Sequence, residues 1–280
     1  MDRLQEILAK ANIMARTSER MTPEAWEKYK AEDYNKKPGT LDDGYDCKVC
    51  LNKGDIWTAR QDDRGNWTHF SSDCKCMAIR RTVRRMQRSG LKNIIKDYTF
   101  DKFLATELWQ QTIKGAAMEY AKHPEGWFFI GGQSGAGKSH ICTAICREFL
   151  LAGREVKYML WRDDVTQLKA AVTDSEQYGS LMEQYKKVDI LYIDDLFKTG
   201  KAQDGAKQRP TAADVNAAFE ILNFRYNDAK KLTIISSECT IDDILDIDEA
   251  VGGRIFERAK AFSLKPDKRR NYRLRGATEL

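Results

Sequence analysis

Long apolar runs are missing from this chain of 280 residues. A helix that crosses a bilayer needs about 20 consecutive apolar residues, and no stretch of the sequence approaches that length. The N-terminal stretch MDRLQEILAK also lacks the uninterrupted apolar segment of a signal peptide. These absences predict a protein of the reducing cytoplasm with no membrane contact. In that compartment the seven cysteines should be metal ligands or core residues.

A large excess of one charge is missing as well, because the formal net charge is only +5. This value does not indicate a protein that coats nucleic acid with its whole surface. Residues 77–96 nevertheless hold seven basic and no acidic side chains, and residues 259–280 hold seven basic against two acidic. Such segments are ordinarily solvated faces, but a phosphate backbone would also bind there. The first segment is one candidate DNA-binding helix, with the arginines Arg80, Arg81, Arg84, Arg85 and Arg88.

The N-terminal residues 1–45 predict two helices. Thr22-Pro23 is typical of an N-cap followed by proline in the first turn, and the turn-rich segment 36–44 predicts a linker. The region is nearly neutral, with nine acidic and eight basic residues. We therefore expect its first helix to bind a protein partner rather than DNA, with docking on the chain itself as the alternative. The apolar stripe of that helix is Leu4, Ile7, Leu8, Ala11 and Met14.

From about residue 100 the pattern changes, and short apolar runs alternate with helical stretches. The runs are GWFFIGG, EVKYMLW, VDILYIDD, LTIISS and AFSL. Runs of this kind are typical of strands that are buried on both faces of a parallel sheet, with helices as the crossovers. The sequence therefore predicts an α/β fold.

A phosphate-binding loop follows the first of these runs. Residues 132–139 read GQSGAGKS and match G-x-x-x-x-G-K-[ST], between an apolar strand and an apolar helix. The glycines let several backbone N–H groups face one anion at the positive end of a helix. Lys138 is expected to reach the β- and γ-phosphates of ATP, and the Ser139 hydroxyl to ligate Mg²⁺. The expected nucleotide-contacting residues are Gly132, Gln133, Ser134, Gly135, Ala136, Gly137, Lys138, Ser139 and His140.

The apolar run at residues 190–193 ends in two acidic residues. P-loop ATPases place one carboxylate here to hold the Mg²⁺ shell and use an adjacent acid to orient the attacking water. Two acids after a strand are by themselves a common surface turn, but the preceding P-loop favours the catalytic interpretation. We predict Asp194 as the Mg²⁺ residue and Asp195 as the acid that activates water.

Four cysteines occur in two closely spaced pairs, Cys47-x-x-Cys50 and Cys74-x-Cys76. Two such pairs can converge on a tetrahedral ion, and a complete set of four thiolates is typical of a structural zinc site. His69 could replace one cysteine but is not needed. Cys142 and Cys146 lie four residues apart beside apolar residues of the P-loop helix and are expected to be core residues.

These features together resemble the AAA+ ATPases of the DnaC/DnaI helicase-loader and IstB group, especially the zinc-bearing loaders of Gram-positive bacteria and their phages. The resemblance covers most of the chain. Besides the cysteines and the two phosphate-site motifs, it includes residues 89–91 (SGL), 98–103 (YTFDKF), 225–227 (RYN), 235–238 (ISSE), 253–258 (GRIFER) and 271–274 (NYRL).

The resemblance implies that Arg254 is an arginine finger, which stabilises charge at the γ-phosphate of ATP on a neighbouring subunit. Arg258 would lie on the same helix face and assist, with a solvated basic helix as the alternative for both. Many relatives have asparagine where this chain has Glu238, and an ionised glutamate cannot donate a hydrogen bond. Hydrolysis is therefore expected to be slow or partner-stimulated. Residues 100–103 resemble a linker that packs near adenine, with core packing as the alternative.

The predicted architecture is an AAA+ domain at 91–280, with a five-stranded parallel sheet flanked by helices and no separate lid. A helical partner-binding region at 1–45 and a zinc-binding module with the basic helix at 46–90 would precede it. The resemblance implies an ATPase that assembles head to tail and loads a replicative ring helicase onto single-stranded DNA. An IstB-like ATPase that regulates DNA transposition is the alternative.

Overall fold

Residues 21–91, 93–200, 208–267 and 271–272 are described here from a computed structural model. The predicted helix at residues 4–14 lies outside this set. The chain divides into two compact units, residues 1–80 and residues 81–280. Within the described ranges, no helix is long and apolar enough to cross a membrane.

The first unit packs one helix on a two-stranded hairpin. Helix α1 (Pro23–Lys36) begins where the sequence predicts, because Thr22 Oγ1 accepts a hydrogen bond from the Ala25 N–H at 3.2 Å. Strands β1 (Asp55–Gln61) and β2 (Trp67–Asp73) pair antiparallel. The ring of Tyr34 stacks on Trp57 with the centroids 4.0 Å apart, which fixes the end of the helix on the hairpin.

The turn-rich segment 36–44 is bonded to the same unit. Its Gly39 N–H donates to the Leu51 carbonyl at 2.5 Å, and its Leu41 N–H donates to the Asn52 carbonyl at 3.0 Å. A Cβ atom at Gly39 would lie 2.2 Å from the Asn52 oxygen, so only glycine allows this approach. The segment is thus not the separating linker that its composition predicts.

Helix α2 (Cys76–Arg88) begins in the first unit, and its residues from Arg81 onward belong to the second unit. The remaining helices are α3 (Ile94–Asp97), α4 (Leu108–Lys122), α5 (Lys138–Leu151), α6 (Trp161–Ala170), α7 (Ser175–Lys186), α8 (Ala212–Tyr226), α9 (Ile241–Ile247) and α10 (Glu249–Arg258). The strands of the second unit are β3 (Trp127–Gly132), β4 (Val156–Leu160), β5 (Ile190–Leu196), β6 (Leu232–Ser237) and β7 (Ala259–Leu264).

These five strands form one parallel sheet in the order β4-β5-β6-β3-β7. The strand before the phosphate loop, β3, lies between β6 and β7, so Trp127 pairs with both Thr233 and Ala259. Every residue of β3 and β6 is buried, as the continuous apolar runs predict. The predicted five-stranded parallel sheet is therefore confirmed. Because the strands are parallel, the segments that follow β3, β5 and β6 meet at one edge of the sheet.

Arg225 shows that part of the family resemblance reflects architecture rather than chemistry. Its side chain is fully buried in α8. It donates hydrogen bonds to Thr233 Oγ1 and to the backbone carbonyls of Tyr185, Lys186, Val188, Asp189 and Leu232. Burial lowers its pKa to about 10, so the guanidinium remains charged at neutral pH. Arg225 thereby ties α8 to the chain segments that enter β5 and β6.

Candidate nucleotide and zinc sites

The phosphate loop connects β3 to the N-terminus of α5. Its glycines Gly132, Gly135 and Gly137 have φ angles of 127°, 79° and 83°, in the region that side chains disfavour. All three also lie against other segments. A Cβ atom at Gly132 would be 2.3 Å from the Leu264 carbonyl oxygen, and one at Gly137 would be 2.9 Å from the Phe103 ring. The motif therefore needs glycine both for its backbone conformation and for its packing.

Lys138 opens α5 and is buried, with 6% of its surface exposed. Its Nζ donates a hydrogen bond to the Gln133 carbonyl at 2.8 Å, across the mouth of the loop. Burial lowers the pKa of the ammonium group, and the negative charges of Asp195 and Glu238 oppose that shift. An anion in the loop would supply the countercharge that this buried lysine favours.

Asp194, at the end of β5, is the most highly bonded carboxylate of the site. Ser139 Oγ donates to its Oδ1 at 3.1 Å, so the hydroxyl and the carboxylate predicted to share Mg²⁺ are adjacent. Tyr192 donates to Oδ1 and Tyr158 to Oδ2, both at 2.9 Å, and Ser236 also donates to Oδ1. A hydroxyl beside a carboxylate is a donor set that suits a hard cation such as Mg²⁺.

Asp195 follows in the left-handed conformation, with φ of 59°. Its Oδ2 accepts a hydrogen bond from Lys198 Nζ at 2.7 Å, and its backbone N–H donates to Ser236 Oγ at 3.1 Å. Lys198 also lies 3.4 Å from Glu238 Oε1, beyond the end of β6. The sequence motifs indicate Asp195 and Glu238 but not Lys198, which lies between them.

One cavity of about 540 Å³ lies over these residues, within the range of small-molecule sites. The structure brings together in its lining most of the phosphate loop, both acids of β5 and the segment before α4. The lining includes Tyr98, Phe103, Leu104, Ser134, Gly135, Gly137, Lys138, Ser139, His140, Asp194, Asp195, Lys198, Glu238 and Tyr272. Within the described set it does not include Arg254.

The aromatic segment 98–103 packs on the first turn of α5. His140 lies with its ring centroid 5.2 Å from that of Tyr98 and 5.6 Å from that of Phe103. Its Nε2 is 3.0 Å from the Thr99 carbonyl, so Nε2 carries the proton. Burial lowers the pKa of His140, which keeps the imidazole neutral near pH 7. The side chain therefore holds the segment in place.

Asn271 and Tyr272 also lie at the phosphate loop, which no spacing or periodicity in the sequence predicts. The Tyr272 N–H donates to the Gly135 carbonyl at 2.9 Å, and its hydroxyl donates to the Leu104 carbonyl at 2.7 Å. Gln110 donates to the same hydroxyl. A Cβ atom at Gly135 would lie 1.9 Å from Asn271 Oδ1. The resemblance of NYRL to the family was the only available signal.

Arg254 lies on α10 against α8. Its Nε donates to Asn223 Oδ1 at 3.0 Å and its guanidinium lies over the rings of Phe219 and Tyr226, at 4.8 and 5.5 Å. The Arg258 guanidinium lies 5.9 Å from the same Tyr226 ring. The two arginines thus share a helix face, as their spacing predicts. Arg254 thus packs on the rings of Phe219 and Tyr226 and is not among the residues that line the cavity described above.

The four predicted zinc ligands converge in the first unit. The sulfur atoms of Cys47, Cys50, Cys74 and Cys76 all lie within 4.8 Å of one another and are buried. The Sγ atoms of Cys47 and Cys74 are 3.8 Å apart, and those of Cys50 and Cys76 are 3.5 Å apart. A tetrahedron with zinc–sulfur bonds of about 2.3 Å has edges of about 3.8 Å, so this donor set fits zinc.

Electrostatics also favour a cation among the four thiols. Burial raises the pKa of Cys74 and raises that of Cys76 to about 12. The pKa of Cys50 is lowered to about 7, because hydrogen bonds from the Gly54 N–H and the neighbouring thiols outweigh its burial. A bound cation would favour the thiolate form that zinc ligation needs. His69 is not among them, since it stacks on Trp57 and its Nδ1 lies 2.8 Å from Glu27 Oε2.

The basic helix presents fewer arginines than its sequence suggests. Arg80 is fully buried in the first unit, where it pairs with Asp43 and donates to Asn52 Oδ1 at 2.6 Å. In the second unit Arg85 pairs with the buried Asp164. The exposed arginines are Arg81, Arg84 and Arg88. The prediction that Arg80 contacts DNA is therefore wrong, because its side chain is buried. The sequence of one helix does not show which of its polar side chains are covered by other segments.

Comparison with known proteins gives a family match. Residues 72–265 match the family described as IstB-like ATP binding protein. YqaM of Bacillus subtilis strain 168, described as uncharacterized, is 34% identical over 205 residues, which are 69% of this chain and 62% of YqaM. XkdC, a protein of the phage-like element PBSX in the same strain, is 32% identical over 224 residues, which are 76% of this chain and 79% of XkdC.

A third relative is the replicative helicase loader DnaC of Escherichia coli K12. It is 27% identical over 140 residues, which are 46% of this chain and 57% of DnaC. The chain therefore aligns with less than two thirds of the length of YqaM and of DnaC.

Proposed function

Because this chain belongs to the family of IstB-like ATP-binding proteins, and so to the AAA+ ATPases of the DnaC/IstB type, we propose that it is an ATP-dependent loader of a replicative ring helicase. The membership confirms the resemblance drawn from the sequence. The observation that carries the proposal is the single cavity in which Lys138, Ser139, Asp194 and Asp195 meet. In the proposal, subunits assemble head to tail with ATP and deliver the helicase to single-stranded DNA.

The ATP-binding part of the proposal assigns one task to each residue. The loop N–H groups and Lys138 hold the β- and γ-phosphates, while Ser139 and Asp194 hold Mg²⁺. When bound, Mg²⁺ neutralises charge that develops on the phosphate oxygens. Asp195 orients the attacking water. The 3.1 Å contact between Ser139 Oγ and Asp194 Oδ1 supports the shared metal.

Slow or partner-stimulated hydrolysis is part of the same proposal. Glu238 stands at the end of β6, where an ionised side chain accepts hydrogen bonds but donates none. Lys198 pairs with Asp195, the proposed water-orienting acid. A partner contact that completes the site would then accelerate hydrolysis. A switch of this kind suits a protein that releases its partner when ATP is consumed.

The helicase-loading function is favoured over transposition by two features. DnaC, a replicative helicase loader by name, is a relative, and the four buried cysteines fit the zinc module of zinc-bearing loaders. The IstB-like description of the family supports the second candidate, an ATPase that acts with a transposase on duplex DNA. A preference for single-stranded DNA would indicate the loader function, and a preference for duplex DNA would indicate the transposition function.

The partner-contacting segment is proposed to be the apolar stripe in residues 1–20. Residues 23–36 are held by the hairpin of the first unit, through the stacking of Tyr34 on Trp57. Deletion of residues 1–20 is therefore a cleaner test than removal of α1. The variant should keep its zinc and its ATP affinity while losing the helicase.

The proposed function is tested with closed circular single-stranded DNA, onto which a ring helicase cannot thread from an end. A replicative ring helicase is incubated with the circle, Mg²⁺ and ATP, with or without this protein, and helicase that co-elutes with DNA is measured. We expect loading only with the wild-type protein and ATP, and none with Lys138→Ala or with the 1–20 deletion.

Two outcomes would contradict the proposal. If the helicase neither binds the protein nor gains access to the circle, the loader function is wrong. If the protein binds duplex DNA more tightly than single strands and captures a transposase instead, the transposition function replaces it. Salt must be held constant throughout, because DNA affinity depends steeply on it.

A further inference from the structure

The cavity contains a second lysine that the sequence motifs do not assign. Lys198 Nζ donates to Asp195 Oδ2 at 2.7 Å and lies 3.4 Å from Glu238 Oε1. The side chains of all three residues line the same cavity as Lys138 and Ser139. The ammonium group of Lys198 is thus held between Glu238 and the proposed water-orienting acid.

A backbone hydrogen bond fixes the position of Lys198. Its N–H donates to the Asp195 carbonyl at 2.9 Å, which closes a tight turn at the end of β5. Asp195 and Phe197 both have φ of 59° in this turn. The Phe197 ring is buried and meets Trp161 edge-on, with the centroids 5.6 Å apart. Left-handed φ angles at two non-glycine residues cost free energy, and the buried Phe197 ring anchors the turn.

Glu238 is also fixed by its neighbours. Ser237, directly before it, donates from Oγ to the Leu196 carbonyl at 2.6 Å, and the Cys239 N–H donates to the same Oγ at 3.0 Å. The end of β6 is therefore bonded to the turn that carries Lys198. The lysine and the glutamate are positioned by one hydrogen-bonded framework rather than by two independent loops.

From this geometry we propose that Lys198 contacts the terminal phosphate of bound ATP and that Glu238 is its positioning residue. A lysine ammonium has three N–H donors on a flexible stem. It can therefore keep Glu238 as a partner while exchanging Asp195 for a phosphate oxygen. A positive charge at this place stabilises a transferring phosphoryl group. The exchange also leaves Asp195 available to orient water.

The inference rests on the proposed binding of ATP, and it explains how a chain with Glu238 recognises a γ-phosphate. Recognition of the γ-phosphate needs a hydrogen-bond donor. Glu238 cannot donate when ionised, but it positions Lys198, which can. A purely structural Lys198, which only neutralises Asp195 and Glu238, would predict the same ion pairs. Nucleotide selectivity distinguishes the two roles, because ADP lacks the phosphate that Lys198 would contact.

The test measures the affinities of ADP and of the nonhydrolysable β,γ-imido analogue of ATP, each with Mg²⁺, by calorimetry. Wild type is expected to prefer the triphosphate. Lys198→Ala should lower triphosphate affinity about tenfold, the value of one charge-assisted hydrogen bond, with ADP affinity unchanged. Lys198→Arg keeps the charge and should restore most of the preference. Single-turnover ATP hydrolysis by Lys198→Ala should fall as well.

Glu238→Gln tests the positioning role. It should reduce the triphosphate preference in the wild-type background but have no further effect in Lys198→Ala, because residues that act through one another are not additive. Equal loss of ADP and triphosphate affinity in Lys198→Ala, or an unchanged preference, would overturn the assignment of Lys198. Additive effects of the two substitutions would overturn the role of Glu238. Failure of wild type to bind either nucleotide would refute the proposed function itself.

Discussion

Asp194 shows how single residues make a buried charge tolerable at this site. Only 5% of its surface is exposed, and an unpaired carboxylate at such a depth would be costly. Four hydroxyl groups donate to it, from Ser139, Tyr158, Tyr192 and Ser236. Tyr158 and Tyr192 are buried on β4 and β5, and Ser236 belongs to β6. The carboxylate is therefore held in one orientation by three strands of the sheet.

The first prediction concerns Lys138. Lys138→Ala removes the cation at the mouth of the phosphate loop and should weaken ATP binding at least a hundredfold, as measured by calorimetry with Mg²⁺. The fold should survive, because among the described residues the ammonium is bonded to the Gln133 carbonyl alone and burial already lowers its pKa. Lys230→Ala, at an exposed lysine, is the matched control. Unchanged affinity in Lys138→Ala would show that nucleotide binds elsewhere.

The second prediction separates binding from hydrolysis at Asp195. Asp195→Asn keeps the size of the side chain and an oxygen that can accept from Lys198, but it removes the charge. ATP affinity should change less than threefold, while the single-turnover hydrolysis rate should fall about a hundredfold, as for a lost general base. Asp246→Asn, at an exposed carboxylate of α9, should hydrolyse ATP normally. Normal hydrolysis by Asp195→Asn would assign the attacking water to another residue.

At the scale of elements, much of the fold could be predicted because its signals are local. Strands β3, β5 and β6 begin with buried apolar runs, and the phosphate loop needs a strand before it and a helix after it. Contacts between distant residues left no such signal. Tyr272 meets Gln110 across 162 positions, and the burial of Arg80 depends on Asp43 and Asn52. The composition of residues 36–44 predicts turns but does not show their hydrogen bonds to Leu51 and Asn52.

The third prediction concerns the zinc module. Freshly purified protein should contain one zinc per chain by elemental analysis, and Cys47→Ser should lose it. Because the first unit has its own cysteine cluster and hairpin, loss of zinc should unfold that unit while ATP affinity stays within threefold. Cys239→Ser, outside the cluster, is the control. Wild-type protein without metal, or a Cys47→Ser variant that keeps its zinc, would contradict the site.

The fourth prediction concerns the exposed arginines of α2. If Arg81, Arg84 and Arg88 contact a DNA backbone, their joint replacement by alanine should weaken single-stranded DNA binding. The slope of log affinity against log salt should become shallower by about 2, since each phosphate contact on a single strand contributes about 0.7. Replacement of the same three by lysine keeps the charge and should preserve the slope. An unchanged slope in the alanine variant would make this face a solvated surface.

At the scale of the whole molecule, the position of Arg254 argues for assembly. The guanidinium rests on Phe219 and Tyr226 and is bonded to Asn223, and it does not line the cavity described for its own chain. An arginine needed at the γ-phosphate would then come from a neighbour. A contact between unlike surfaces repeats head to tail, which builds rings or helical filaments. ATP hydrolysis should therefore rise more steeply than linearly with protein concentration.

The fifth prediction follows from that arrangement. Arg254→Ala subunits can bind ATP but offer no arginine, whereas Lys138→Ala subunits offer the arginine but bind no ATP. Each variant alone should be inactive. When the two are mixed, the junction that places a Lys138→Ala neighbour beside an Arg254→Ala ATP site regains both parts, so ATPase activity should partly return. With random mixing at equal amounts, about a quarter of the junctions are of this kind, which limits the recovery.

Mixing each variant with a subunit that carries both substitutions is the matched control, because no junction in either mixture then contains both parts. Co-assembly must be verified by light scattering, so that lack of rescue is not lack of contact. If the mixed variants assemble and stay inactive while the wild type hydrolyses ATP, Arg254 does not act across a junction. Arg258 also lies over the Tyr226 ring. The same mixture with Arg258→Ala in place of Arg254→Ala then shows whether Arg258 is the arginine that acts on the neighbouring subunit's ATP.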